Sequence, residues 1–116
     1  MVEREVFLPI ERDDAWRLVT DQRELERWLA PSVELDPVVG GEITVEDADG
    51  VQVGVVEDLV DGERIAFRWR RADGGESTVV IDLDEVEGGT RVSVVERGAP
   101  SIELRALCSV ARYALA

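Results

Sequence analysis

Histidine and lysine are both missing from this chain, and cysteine occurs once. Without histidine there is no side chain whose ordinary titration range straddles neutral pH, so histidine-dependent triads and histidine metal sites are excluded. The single Cys108 has no partner for an internal disulfide, so the fold is unstapled and suits a reducing cytoplasm. No apolar run approaches the ~20 residues needed to span a bilayer. Met1-Val2-Glu3-Arg4-Glu5 lacks the basic segment and apolar core of a signal peptide, which makes a cytoplasmic location the expectation. The glycine pairs, Gly40-Gly41 among them, have neither the spacing nor the lysine of a phosphate loop. The acidic clusters Glu46-Asp47-Ala48-Asp49 and Asp82-Leu83-Asp84-Glu85 do not follow calcium-loop spacing and read as solvated strand ends. No cofactor and no metal is expected.

What is present is acid. Twenty-six carboxylates face 13 basic residues, all arginine, for a net charge of -13. Such a surface repels phosphate backbones and anionic lipid, so no nucleic-acid partner and no membrane insertion is expected. The arginine bias itself reads as a compositional habit of the source. At 116 residues with 45% hydrophobic composition, residues 1–116 form one expected domain. A chain of this size buries roughly 65% of its unfolded surface, enough for a core without metal or disulfide.

Two hydrophobic periods divide the chain. Arg4 to Leu8 reads as a strand ended by Pro9. From Glu11 to Thr20 the spacing turns helical, with Ala15, Trp16 and Val19 on one side. Asp21 with Glu24 makes a capping-box-like start for a second helix, which presents Leu25, Trp28 and Leu29 and stops at Pro31. A loop through Pro37 and Gly40-Gly41 precedes strands over 43–46, 51–60, 64–70, 77–83 and 90–96. Asp49-Gly50, Asp61-Gly62, Asp73-Gly74 and Gly88-Gly89 punctuate these strands as hairpin turns, the pattern of an antiparallel meander of six or so strands. Ile65, Phe67 and Trp69 alternate with Ala66, Arg68 and Arg70; Val79, Ile81 and Leu83 alternate with Val80, Asp82 and Asp84. The last segment, 102–116, is an amphipathic helix with Leu104, Leu107, Cys108, Ala111 and Leu115 on one face.

Four segments carry a family resemblance: Ala15-Trp16; Leu25-Glu26-Arg27-Trp28-Leu29-Ala30-Pro31; Val39-Gly40-Gly41-Glu42; and Glu63-Arg64-Ile65-Ala66-Phe67-Arg68-Trp69 with Gly88-Gly89-Thr90-Arg91-Val92 downstream. In this order the chain resembles the family related to the C-terminal domain of the heat-shock-protein-90 ATPase activator, within the START-like (SRPBCC) superfamily. The resemblance implies an α+β helix-grip fold, in which a curved antiparallel sheet with two short helices after the first strand wraps around a C-terminal helix. It departs from the family at that last helix, which is short and led by Ala99-Pro100-Ser101.

Within that fold the residues expected to line a cavity are Val53, Val55, Phe67, Trp69, Ile81 and Val94 on the sheet, with Leu104, Leu107, Cys108 and Ala111 on the helix. The small residues Cys108 and Ala111 leave volume there, and Trp69 offers an aromatic wall with one polar handle. Cys108 has no basic neighbour on its face and reads as a buried structural thiol. Trp16 and Trp28 are expected to pack the helical pair onto the sheet. Glu96 is in phase with Val92 and Val94, and Arg4 with Val6 and Leu8, so an Arg4–Glu96 pair at the cavity rim is one expectation. The competing one, slightly favoured by sequence alone, leaves both at frayed strand ends, where such a pair contributes about 0–1 kcal/mol.

Three functions follow in order. The first is a binder of a hydrophobic small molecule such as a lipid, polyketide or aromatic metabolite, not enzymatic or weakly so. The second is a co-chaperone-like module that engages a chaperone or other protein. The third is a cyclase- or hydrolase-type enzyme using Glu96 or Asp82 with Tyr113, ranked last because Asp82 faces outward in its strand and Tyr113 lies off the apolar stripe.

Overall fold

The computed structural model describes residues 1–71, 74–98 and 104–115, and within the last helix the side chains of 105–109 and 111. The expected turn residue Asp73, the lead-in Ala99-Pro100-Ser101, and the side chains of Leu104, Tyr113 and Leu115 lie outside the described residues. The chain runs β1 (Val2–Leu8), α1 (Arg12–Thr20), α2 (Gln22–Leu25), β2 (Ser32–Leu35), β3 (Glu42–Asp47), β4 (Gly50–Val60), β5 (Arg64–Arg71), β6 (Glu76–Val86), β7 (Gly89–Arg97) and α3 (Leu104–Leu115). The sheet has seven strands in the order β1-β7-β6-β5-β4-β3-β2, antiparallel throughout. Strands β2 to β7 form the meander that the turn signals imply, and β1 closes it beside β7.

Strand β2 falls within the stretch that the sequence alone reads as a loop. It is short, and half of its backbone demand is met outside the sheet. The Val33 N–H donates to Glu26 Oε2 at 3.1 Å and the Leu35 N–H to Gln22 Oε1 at 3.1 Å, so side chains of the α2 region cover an otherwise open edge. Asp21 caps α2, its Oδ1 accepting from the N–H groups of Arg23 and Glu24 at 2.9 and 3.1 Å. The helix is shorter than its apolar spacing suggests. Regular turns end at Leu25, and Glu24 and Leu25 carbonyls then accept from Arg27, Trp28 and Leu29 as the chain tightens ahead of Pro31.

Trp28 holds this helical pair down. It is 7% exposed, and its Nε1 donates to the Leu18 carbonyl at 2.7 Å, so one side chain supplies both apolar burial and a tie between α1 and the turn after α2. Trp16 is half-buried and packs against the same core. That core combines Ala15, Leu18, Val19 and Leu25 of the helices with the inward side of the sheet and Leu107 and Ala111 of α3. The last helix packs against β1 and α1.

Candidate functional site

On the inner sheet face, registers align side chains in transverse rows. Glu96, Val79, Phe67 and Val56 share one row across β7, β6, β5 and β4, all buried. The row on one side holds Arg4, Val94, Ile81, Ile65 and Leu59. The row on the other side holds Ser77, Trp69 and Gly54. Phe67 and Trp69 stand two apart on β5, so both project to this face; their rings meet edge to face at a centroid distance of 4.6 Å.

Polar groups collect at the Trp69 end of this apolar face. Gln52, Ser77 and Glu96 are all buried there. Glu96 is fully enclosed and receives the Arg4 guanidinium, Nη2 to Oε1, at 3.1 Å. The inward phase of Glu96 is therefore real, and the frayed-end reading of the Arg4–Glu96 pair is overturned: the register that puts Val2 opposite Glu96 and Arg4 opposite Val94 draws the pair beneath the first strand. Two further donors on this face, Arg4 Nε and Trp69 Nε1, are buried with no hydrogen-bond partner among the described residues. A buried N–H without a partner costs about 1–3 kcal/mol.

Of the expected lining residues, the sheet brings Phe67, Trp69, Ile81, Val94 and Glu96 onto one face, each buried. Leu107 and Ala111 on α3 are fully buried as well. Cys108 is half-buried rather than enclosed, because it sits to one side of the Leu107–Ala111 line that meets the core. Val53 and Val55 need correction: they lie on the outer face, paired with Arg70 and Arg68, and Val53 is 52% exposed. The cause is a bulge in β4, where the register jumps from Val56 to Asp58 opposite consecutive residues of β5. Inward positions are therefore Gln52, Gly54 and Val56 before it and Leu59 after it. Hydrophobicity also misleads here, since the outward residues Val51, Val53 and Val55 are more apolar than the inward Gln52 and Gly54. Gly54 is required where it stands, because a Cβ there would come 2.0 Å from the Arg68 carbonyl oxygen.

The buried Ser77 and Gln52 were not identified from sequence. Ser77 was legible in principle, being in phase with Val79 and Ile81; Gln52 is in phase with Val56 only once the bulge is known.

The outer face carries an open groove of about 840 Å³ lined by Val51, Val53, Val55, Arg68, Arg70 and Glu76 among others. Two of its guanidinium groups are already paired, Arg68 with Glu57 at 3.3 Å and Arg70 with Glu76 at 3.1 Å. Asp82 also faces outward and accepts from Arg64 Nε at 2.7 Å, an interaction that raises the arginine above its ordinary pKa through the hydrogen bond first and the carboxylate charge second. No cluster of three metal-ligating side chains occurs among the described residues, and none of their helices is long and apolar enough to cross a membrane.

A curved antiparallel sheet with two helices after its first strand, closed by a C-terminal helix, is a helix-grip fold of the START-like class. The family model described as Activator of Hsp90 ATPase homolog 1-like protein matches residues 9–109, and the chain belongs to that family. No individually curated protein matches it. Among solved structures, Mll3558 from Rhizobium loti is similar with a TM-score of 0.80 at 21% identity, over 94% of each chain. DynU16, a protein in the dynemicin biosynthetic locus, aligns with a TM-score of 0.79 at 25% identity, over 98% of this chain and 46% of the other. PFC0360w, an HSP90 activator from Plasmodium falciparum, aligns with a TM-score of 0.69 at 18% identity, over 90% of this chain and 76% of the other.

Proposed function

We propose that this protein binds a hydrophobic small molecule, a lipid, polyketide or aromatic metabolite, between the inner sheet face and α3. The observation that carries the reading is the polar end of an otherwise apolar face. Enclosing the Glu96 carboxylate and leaving the Trp69 N–H without a partner weakens a core, whereas a ligand site uses such groups to orient its guest. Similarity to a protein of the dynemicin locus is in keeping with an aromatic or polyketide guest.

Catalysis has little support: there is no histidine, Asp82 is engaged outward with Arg64, and Glu96 is engaged with Arg4. The cytoplasm is the compartment this reading implies, from the lone cysteine. Native mass spectrometry of the purified protein tests the proposal. A bound small molecule released on unfolding is expected; a bare chain that also refuses every hydrophobic compound offered would sink it.

A second reading, engagement of a chaperone, is favoured by family membership and by a surface of net charge -13 able to steer a basic partner. It predicts that the protein stimulates the ATPase of a purified Hsp90; no stimulation at saturating protein eliminates it.

A further inference from the structure

We propose that the outer face of the sheet is a self-association surface. Two copies of this chain pack there about a two-fold axis parallel to the strands. The arginine ridge of β5 in each copy lies along the valine stripe of β4 in the other.

In an antiparallel sheet with one covered face, the side chains turned to water are ordinarily the polar ones. Strand β4 reverses this pattern. Before its bulge it turns Gln52 and Gly54 inward and Val51, Val53 and Val55 outward. Val53 is 52% exposed and the valines on either side of it are half-buried, so the three make a continuous apolar floor to the open groove of about 840 Å³. An apolar floor edged by charged side chains is the composition of a contact surface.

The charge beside the stripe identifies what covers it. Cross-strand pairing sets Glu42 and Arg68 on opposite flanks of Val55, and Thr44 and Arg70 on opposite flanks of Val53. Glu46 flanks Val51 on the β3 side, and Glu34 stands beside Thr44 on β2. One flank is therefore carboxylate, with Glu34, Glu42 and Glu46 all exposed. The other carries Arg68 and Arg70, with Arg97 two strands beyond Arg68 in the same row. Acids are present on that side too: Glu57 lies 3.3 Å from Arg68 and Glu76 lies 3.1 Å from Arg70. Three guanidinium groups against two carboxylates still leave this flank positive, in a chain of net charge -13.

A face divided in this way is complementary to itself. Rotation about an axis along the strands keeps each row level and exchanges the flanks, so Arg68 of one copy comes to Val55 and Glu42 of the other. The aliphatic stems of Arg68 and Arg70 cover the opposing valines while their charged heads reach toward the β3 carboxylates. Each such contact forms twice. A nucleic acid or an anionic lipid surface would meet the carboxylate flank, and a uniformly basic partner would meet the arginines; a second copy meets neither conflict.

Sedimentation equilibrium of wild type, Arg68→Glu, Glu42→Arg and an equimolar mixture of the two variants tests this, with circular dichroism to confirm folding. Wild type is expected to dimerise at high micromolar concentration. Each single reversal is expected to weaken the dimer at least about tenfold, because it places two like-charged pairs in the interface. The mixture is expected to regain wild-type affinity, since one contact is then native and the other is reversed in both partners. A wild type that stays monomeric throughout the micromolar range overturns the proposal. So does a dimer that both reversals leave intact, or a mixture that associates no better than its components. Should a reversal fail to fold, methyl resonances of wild type on dilution decide: concentration-dependent shifts at Val51, Val53 and Val55 support the interface, and their absence overturns it.

Discussion

Arg4 and Glu96 are joined across the β1–β7 pair at 3.1 Å, although the backbone register sets Arg4 opposite Val94 and Glu96 opposite Val2. The contact is diagonal, and it fastens the first strand to the last while placing the only fully enclosed carboxylate among the described residues at the polar end of the inner face. Removing the cation takes its guanidinium from a carboxylate that stays buried. Arg4→Met should therefore destabilise by about 3 kcal/mol, toward the low end for a broken buried pair because the Arg4 side chain is 37% exposed. Glu96→Gln, which keeps shape and removes the buried charge, should cost less. Urea unfolding of both variants checks the order; a loss below about 1 kcal/mol for Arg4→Met would show that water reaches Glu96.

Trp28 should prove the most sensitive aromatic of the helical pair. Trp28→Ala is expected to cost about 3–5 kcal/mol through the lost volume. Trp28→Phe keeps most of the volume but strands the Leu18 carbonyl, and about 1–2 kcal/mol is expected. A Phe variant as stable as wild type in denaturant unfolding would mean that solvent replaces the indole N–H.

The β4 bulge predicts opposite outcomes on one strand pair. Val53→Thr, on the outer face, should change stability by no more than about 0.5 kcal/mol. Ile81→Ala, on the inner face, should cost about 2–5 kcal/mol. A large loss at Val53 would return that residue to the core and refute the register.

Added salt should stabilise the fold. With a net charge of -13 the folded chain repels itself, and ions screen that repulsion over about 8 Å at physiological strength. The melting temperature is expected to rise with sodium chloride. A fall would indicate that local pairs such as Arg64–Asp82 and Arg70–Glu76 outweigh the net repulsion.

Most of the fold is legible in the chain because its signals are local. The change of hydrophobic period after Pro9 and again after Gly98, and the Asp-Gly and Gly-Gly turns, mark the meander and its flanking helices without reference to tertiary contacts. What escaped depends on the partner strand. Strand β2 is recognisable only once Gln22 and Glu26 are seen to cap its edge, and the facing of Val53 and Val55 turns on a bulge at Glu57 that carries no compositional mark. The site divides in the same way. Phe67, Trp69, Ile81, Val94 and Glu96 follow from strict alternation on unbroken strands. That Trp69 lacks an acceptor while Glu96 has a cation is a property of the packed face, which alternation does not encode.

Whether the inner face holds a guest can be read from the intrinsic fluorescence of wild type and Cys108→Phe. Trp69 lies on that face, so micromolar flat aromatics or fatty acids should perturb the emission of wild type, the aromatics more strongly. Cys108 is half-buried beside Leu107, so a phenyl ring there should enter ligand space and leave the fold intact by circular dichroism while the response disappears. A filled core without a guest is the conclusion if no member of a hydrophobic panel perturbs the tryptophans and Cys108→Phe simply unfolds the protein.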